Sequence, residues 1–134
     1  MKIDGACYCG EITYEAEVDP EKVAICNCMD CQRMSGSNVR TNVYVDESHL
    51  KFVTGAAKEY IKISESGHKR ACGFCGNCGT PLYACNADGK PRMFGLRVNS
   101  SNQSDQLVPK AQYWVRSRQA WLADLENIPK HETQ

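Results

Sequence analysis

The amino-acid sequence predicts a mainly β fold, a sandwich or half-barrel of short antiparallel strands with little helix. Short segments in which apolar and polar residues alternate recur along the chain, and turn residues separate them. Only one segment, near the C-terminus, has a helical pattern of apolar residues. The chain has 134 residues, a length that fits one domain around one core.

The first predicted strand covers residues 12–18, where four apolar residues alternate with glutamate and threonine. Asp19-Pro20 ends this strand because proline is typical of turns. A short strand over residues 23–25 follows. We expect a single helical turn at residues 29–34 and a loop at residues 35–37.

Residues 39–45 form the next predicted strand, with valine and threonine on one face and Arg40, Asn42 and Tyr44 on the other. Further strands are expected later in the chain. They lie at residues 50–53, 59–63, 81–85, 92–98 and 112–116.

The C-terminal part of the chain contains the one predicted helix, at residues 118–125. We expect Trp114 and Trp121 to fill the core rather than to bind a ligand. The predicted domain covers residues 1–126, and we expect residues 127–134 to form a flexible tail.

The core predicted from composition is thin. Leu, Ile, Val and Phe make up only 24 of the 134 residues, whereas nine residues are cysteine. Such a domain gains from cross-links by disulfides or metal ions. The N-terminus lacks the pattern of a signal peptide, so we expect a cytoplasmic protein, where clustered cysteines bind metals more often than they form disulfides. An odd number of cysteines also fits a disulfide framework poorly.

Cys26, Cys28 and Cys31, here called the central cysteines, place three sulfurs within six residues. An extended Cys-x-Cys segment points both sulfurs to one side, and a turn in Cys-x-x-Cys brings the third sulfur to them. Sulfurs around zinc lie within about 4 Å of one another. Structural zinc has four protein ligands and catalytic zinc keeps one position open, so a set of three indicates a functional site.

Cys7, Cys9, Cys75 and Cys78, here called the outer cysteines, form two further pairs, each followed by glycine. One pair cannot close a tetrahedral site alone. We therefore predict that the two pairs share one structural zinc ion. This ion would connect the start of the chain to residue 78.

Cys72 and Cys85 lie outside these groups. We favour a role for both as small apolar residues within strands, although either could be a fourth ligand to the central cysteines, Cys72 more so. We predict that neither fills that position. His49, His68 and His131 show no spacing typical of metal ligands.

The formal net charge is zero. Two zinc ions held by seven thiolates would make the protein mildly acidic, at about −3. No basic excess then remains to neutralise phosphates, so we expect no nucleic acid partner. We also expect no membrane partner, because no apolar run approaches the length of a membrane span.

Four motifs together resemble one family. They are Cys-x-Cys-Gly at 7–10, Cys-x-Cys-x-x-Cys-x3-Ser-Gly at 26–36, Phe-Cys-x-x-Cys-Gly-Thr at 74–80 and Trp-Val-x-Ser-Arg-x-x-Trp-Leu at 114–122. Over residues 5–125 the chain resembles the glutathione-dependent formaldehyde-activating enzyme (GFA) family, which shares a domain with the centromere protein V group. The resemblance implies an Mss-four-like fold, a structural zinc ion on the outer cysteines and a second, catalytic zinc ion on the central cysteines.

The activity that the resemblance implies is the condensation of formaldehyde with glutathione to S-(hydroxymethyl)glutathione, classed in reverse as a carbon–sulfur lyase. Glutathione has two carboxylates, which arginine side chains bind well. Arg33 and Arg40, close to the central cysteines in sequence, are the first candidates for these contacts. The next candidates are Lys69, Arg70, Arg116 and Arg118.

Two other functions remain open at this point. The domain could be a non-catalytic zinc module with two structural sites and an interaction surface, or an enzyme acting on another small thiol or thioether. A fourth protein ligand to the central cysteines would favour the non-catalytic module, because it would close the open position.

Overall fold

Ten β-strands form most of the regular structure of the chain, which a computed structural model describes over residues 1–134. In chain order they are β1 (Lys2–Ala6), β2 (Thr13–Glu17), β3 (Val23–Cys26), β4 (Arg40–Asp46), β5 (Leu50–Thr54), β6 (Lys58–Ile63), β7 (Lys69–Phe74), β8 (Pro81–Asn86), β9 (Met93–Arg97) and β10 (Ala111–Tyr113). One α-helix, α1 (Met29–Ser35), and six short 3₁₀ helices complete the structure. The prediction of a mainly β fold is confirmed.

The strands form two sheets. A three-stranded sheet has the order β1-β2-β5, and a seven-stranded sheet has the order β10-β3-β4-β9-β8-β7-β6. Every pair is antiparallel except β10 with β3, which is parallel. The expectation of antiparallel strands is therefore wrong at this edge. Residues 27–110 separate β3 from β10, and this long separation permits the parallel pairing, because parallel strands cannot be joined by a tight turn.

Strand β1 has no counterpart in the sequence-based prediction. Its local pattern is weak, and its position depends on pairing with β2, where Ile3 lies opposite Ala16 and Gly5 opposite Tyr14. A Cβ atom at Gly5 would lie 2.4 Å from both the Ser100 carbonyl oxygen and the Tyr14 hydroxyl. Glycine at this position therefore allows a close approach between chain segments.

The C-terminal segment differs most from prediction. The strand expected at residues 112–116 ends at Tyr113, because Trp114 adopts a left-handed backbone conformation with φ of 55°. The helix expected at residues 118–125 is instead a series of 3₁₀ turns over Ala120–Asn127, interrupted at Asp124.

The tryptophans are also not core residues, contrary to expectation. Trp121 is 50% exposed, and Trp114 is half-buried at the wall of a cleft. For Trp121 the physical reason is that the 3₁₀ segment has no buried residue, so its apolar side chains stay at the surface. None of the helices in the chain has the length and apolar character needed to cross a bilayer.

One hydrophobic core joins the two sheets. It contains residues of the small sheet, such as Tyr14, together with Val43, Leu82 and Leu96 of the large sheet, all almost completely buried. A row of aromatic contacts crosses it, from Tyr14 to Phe52 to Tyr83 to Phe94, with ring centroids 6.3, 5.6 and 4.9 Å apart. Three cysteines, Cys7, Cys75 and Cys85, are part of the same cluster.

Strand β4 is buried on both faces. Val43 and Val45 face the core, as their alternation predicts. On the opposite face, Arg40 and Asn42 are also buried and Tyr44 is half-buried. This second, polar face forms the floor of the candidate functional site.

Candidate metal centre and its cleft

The outer cysteines come together in the structure. Their four sulfurs all lie within 4.8 Å of one another, with 3.5 Å between Sγ of Cys7 and Cys9 and 3.8 Å between Sγ of Cys9 and Cys75. Tetrahedral zinc with Zn–S bonds of about 2.3 Å requires sulfur–sulfur distances of about 3.8 Å. The four sulfurs could thus hold a metal ion, and their geometry is compatible with zinc.

The glycine after each outer pair allows the turn that brings the two sulfurs together. Gly10 donates its N–H to the Cys7 carbonyl at 3.0 Å, and Gly79 donates to the Cys75 carbonyl at 2.8 Å. Both glycines have φ of 78°, a conformation that side chains disfavour. The two turns are therefore similar in construction.

Thr80 connects the two outer pairs. Its Oγ1 accepts a hydrogen bond of 3.0 Å from the Tyr8 N–H, which leaves the hydroxyl proton to point at Cys78 Sγ, 3.1 Å away. This hydrogen bond is the main cause that lowers the pKa of Cys78 to about 5. Because thiolates are the form that binds metal, Thr80 favours the ligand state of Cys78.

The central cysteines form a second group, again with all sulfurs within 4.8 Å. Strand β3 ends at Cys26, and Cys28 caps the N-terminus of α1 by accepting a 3.3 Å hydrogen bond from the Cys31 N–H. The group contains three sulfurs. Neither Cys72 nor Cys85 belongs to it.

The three central sulfurs affect one another's protonation. A hydrogen bond from the Cys31 thiol lowers the pKa of Cys26, and the same contact raises the pKa of Cys31 far above its usual range. Burial raises the pKa of Cys28. Three thiolates this close repel one another unless a cation lies among them. The donor set therefore fits a soft divalent cation such as zinc.

A buried polar network holds the loop that carries the central cysteines. Asn27 is fully buried, and its Nδ2 donates to the Tyr113 carbonyl at 2.9 Å. Gln32 Nε2 donates to the Asn27 carbonyl at 2.7 Å and to the Ser117 carbonyl at 3.0 Å. Gln119 in turn donates to Gln32 Oε1 at 3.1 Å. Strand β10 and the segment after it thus hold the loop that carries the central cysteines in place.

A cleft of about 370 Å³ lies over the polar face of β4, and Cys26 and Cys31 form part of its wall. Its size lies at the low end of the range for small-molecule sites. Cys72 also lines it, although its sulfur is outside the three-sulfur group.

The cleft is strongly basic although the chain has no net charge. Four lysine and arginine side chains line it together with His68, against one carboxylate, that of Asp30. Lys62 Nζ is paired with this carboxylate at 2.6 Å, so Asp30 is not available to the three arginines. The arginines are Arg40, Arg70 and Arg97.

Only some of the basic residues expected to bind a substrate lie in the cleft. Arg40 is buried and lines the cleft, whereas Arg33 is exposed on α1 and lies outside the lining. Of the second-rank candidates, Arg70 lines the cleft. Three others, Lys69, Arg116 and Arg118, are exposed and outside it.

Sequence reasoning did not identify Arg97 or Asn42 as site residues. Arg97 is 8% exposed, and its Nη1 donates a hydrogen bond to Asn42 Oδ1. Burial and, next, the charge of Arg40 lower the pKa of Arg97 to about 10, so it is still a cation at neutral pH. The sequence does show Arg40 and Asn42 on one face of a predicted strand, which could have indicated Asn42 as a site residue. Arg97 joins them only because β9 pairs with β4, and local sequence does not predict that pairing.

Comparison with known proteins supports the fold and the family. The model of the family described as glutathione-dependent formaldehyde-activating enzyme (GFA) matches residues 2–117. Among solved structures, the chain is similar to the crystal structure of a Rhodobacter sphaeroides protein, with a TM-score of 0.61 and 20% identity, over 81% of this chain and 98% of that one. This likeness shows a shared fold. A search of curated proteins gives no significant match.

Proposed function

Because this chain belongs to the glutathione-dependent formaldehyde-activating enzyme family, we propose that it is a zinc-dependent carbon–sulfur lyase that joins formaldehyde to glutathione or another small thiol, and catalyses the reverse reaction. The observation that carries the proposal is the position of Cys26 and Cys31 in the wall of the basic cleft. The central cysteines offer three sulfurs, and the cleft gives a small molecule access to them.

The reaction needs only bond formation and a proton transfer. The thiol sulfur adds to the carbonyl carbon, so a C–S bond forms while the C=O double bond becomes a C–O single bond. The thiol proton ends on that oxygen. The electron count of the two substrates together does not change.

Zinc on the central cysteines would lower the pKa of a substrate thiol, so that the nucleophilic thiolate exists at neutral pH. Side chains of the protein would stabilise the aldehyde oxygen and bind the rest of the substrate. Tyr44 lines the cleft, and burial raises the pKa of its hydroxyl, so in this proposal the hydroxyl keeps its proton and donates a hydrogen bond to the aldehyde oxygen. Arg40 lies in the same cleft and would contact a carboxylate of glutathione. Because Arg33 lies outside the lining, we assign this contact to Arg40 and not to Arg33.

The outer cysteines have a different role in this proposal. They would hold a structural zinc ion, since Cys7 and Cys75 are part of the hydrophobic core and four sulfurs leave no open position.

The test is exchange NMR on zinc-loaded protein with ¹³C-formaldehyde and glutathione. We expect the exchange between free and sulfur-bound formaldehyde to be faster than in buffer with the same zinc concentration. Cys28→Ser should reduce the rate to that of buffer. Cys72→Ser is the matched control, because it removes a buried thiol beside the cleft but outside the three-sulfur group. A rate equal to that of buffer for the unmodified protein would contradict the proposal and favour a non-catalytic zinc module.

A further inference from the structure

Strand β6 lies at one edge of the seven-stranded sheet, and its only strand partner in the chain is β7. The Ser64 N–H donates to the His68 carbonyl at 2.9 Å, in the same register as the pairing of β6 with β7. Because hydrogen-bonded pairs alternate along antiparallel strands, the even-numbered residues of β6 bond to β7. The N–H and C=O groups of Glu59, Ile61 and Ile63 therefore point outward from the edge of the sheet.

Two other edge strands of the protein are short or covered. Strand β10, at the opposite edge of the same sheet, has only three residues. Strand β1 is covered, because the Asn102 N–H donates to the Asp4 carbonyl at 2.9 Å and Gln103 Oε1 accepts from the Asp4 N–H at 2.9 Å. Strand β6, in contrast, has six residues and an open edge. An open edge of this length is a template for pairing with another strand.

The charges along β6 do not protect this edge. Edge strands usually carry free charged side chains, which repel an incoming strand. On β6, the Lys62 Nζ is paired with Asp30 at 2.6 Å, and the Glu59 carboxylate is paired with Arg92 at 2.6 Å. Both pairs lie within the chain, so these two charges are already balanced before any strand approaches.

Large apolar side chains are exposed on both faces of β6. Tyr60 lies opposite Cys72, a residue of the cleft wall, and is 60% exposed. Ile61 lies opposite Ala71 of the core, yet it is 50% exposed, and Ile63 on the same face is 69% exposed. The core thus covers only part of this face. A strand added at the edge would cover the rest.

We propose that this edge binds a second copy of the chain, with the two β6 strands antiparallel about a two-fold axis at Ile61. The inference does not rest on the proposed function. A two-fold axis perpendicular to the sheet pairs residues of the same face, and the outward N–H and C=O groups must pair among themselves. With the axis at Ile61, this residue pairs with its own copy, and Glu59 pairs with Ile63 of the second copy. Each such pair exchanges both N–H···O bonds, so the sheet continues across the dimer.

The charge pattern of β6 favours this register over its two neighbours. An axis at Tyr60 would place Lys58 opposite Lys62 of the second copy, and an axis at Lys62 would place this lysine opposite itself. Like charges directly opposite each other destabilise a strand pair. With the axis at Ile61, Lys62 lies opposite Tyr60 and Lys58 lies opposite Ser64. This register is therefore the one of the three without opposed like charges.

The pairing would also extend the cleft. Lys62 lines the cleft, so Tyr60 of the second copy, directly opposite it, would lie at the cleft rim. Each copy would thus add an aromatic side chain beside the functional site of the other. The contact is limited to one strand of each copy, and interfaces below about 1,200 Å² are typically weak. We therefore expect a dissociation constant of about 1–100 μM.

Sedimentation equilibrium of the full-length, zinc-loaded protein tests the inference over a concentration range of about 1–500 μM. We expect a monomer at the low end of the range and a dimer at the high end. A monomer at every concentration would overturn the inference and leave the edge open to a strand of another protein.

Ile61→Lys should raise the dissociation constant at least about tenfold, because it places two lysines opposite each other on the axis. Val53→Lys is the matched control. Val53 is exposed to a similar extent, 48%, but belongs to β5 of the small sheet, so this variant should dimerise like the unmodified protein. A dimer that persists unchanged in Ile61→Lys, or equal weakening in both variants, would contradict the proposed interface.

Amide hydrogen exchange of the unmodified protein, followed by NMR, tests the register without any variant. The N–H groups of Glu59, Ile61 and Ile63 should exchange at least about tenfold more slowly at a concentration where the dimer forms than at a dilute one. The N–H groups of Tyr60 and Lys62 bond to β7 and should be protected at both concentrations. A dimer in which the three outward N–H groups exchange as fast as in the monomer would show that another surface forms it, and would overturn the inference.

Discussion

The side-chain amide of Gln32 donates a hydrogen bond of 2.7 Å to the backbone carbonyl of Asn27, the residue between Cys26 and Cys28. The same Nε2 donates to the Ser117 carbonyl at 3.0 Å, so one buried amide joins α1, the cysteine loop and the C-terminal segment. The shape of the central cysteine group thus depends on groups that provide no sulfur.

Gln32→Leu should weaken metal binding at the central cysteines and not at the outer ones. The variant leaves the carbonyls of Asn27 and Ser117 without this donor, which should cost about 1–3 kcal/mol of unfolding free energy. Chelator competition would resolve the two classes of zinc site, and urea denaturation would give the stability. Gln119→Leu is the control, because it removes only the hydrogen bond to Gln32 Oε1. Equal weakening at both metal sites in Gln32→Leu would contradict this role.

Thr80→Val should make the outer site release its metal at higher pH. Without the hydroxyl, the pKa of Cys78 rises from about 5 toward the ordinary thiol value, and protons then compete with the metal at higher pH. We expect the pH of half-release to increase by about 0.5–1 unit, the size of one hydrogen bond. A colorimetric chelator would follow release, with Thr13→Val at an exposed hydroxyl pair as control. An unchanged midpoint in Thr80→Val would contradict the role of the hydroxyl.

Cys75→Ser should destabilise the fold far more than Cys28→Ser. Cys75 is a core residue, and the outer group connects the start of the chain to residue 78 across the molecule. Structural zinc contributes about 10–16 kcal/mol in zinc-finger peptides, as much as the whole stability of about 5–15 kcal/mol of a typical domain. We therefore expect Cys75→Ser to lose cooperative thermal unfolding and Cys28→Ser to keep it. Differential scanning calorimetry measures the thermal unfolding of both variants. Similar unfolding transitions in the two would show that the outer site is not the structural one.

Gly5→Ala should destabilise the protein by about 1–3 kcal/mol. The new Cβ would lie 2.4 Å from the Ser100 carbonyl oxygen, a backbone atom that cannot move without shifting the chain. Gly95→Ala is a suitable control, because its Cβ would come no closer than 3.4 Å to Tyr44 and meet only ordinary contacts. Unfolding in guanidinium chloride measures the free energy of unfolding of both variants. Equal values would show that the contact between residue 5 and the Ser100 carbonyl does not exclude a side chain.

Local sequence was enough to predict several elements. Alternation of apolar residues located β2 and β4 to within a residue or two, because one face of each strand packs in the core. The close spacing of Cys26, Cys28 and Cys31 in sequence also corresponds to their proximity in space, because a strand end, a cap and one helical turn are local structures.

Long-range features could not be predicted in the same way. Strand β1 depends on pairing with β2, and Arg97 reaches the cleft only because β9 pairs with β4. The net charge of the chain also does not predict the charge of the site. The formal net charge is zero, yet the cleft contains Arg40, Arg70 and Arg97, none of which has a carboxylate partner. These properties belong to the tertiary arrangement and not to any short segment.

The central claim is that the central cysteines hold a metal ion with a fourth position open to the cleft. ¹¹³Cd NMR of cadmium-substituted protein tests it most directly, because the chemical shift reports the number of sulfur ligands at each site. We expect two resonances, one typical of four sulfurs and one typical of three, and added glutathione should move only the second toward the four-sulfur range. Two four-sulfur resonances that glutathione does not change would contradict the claim, since they would show that a protein thiol closes the second site.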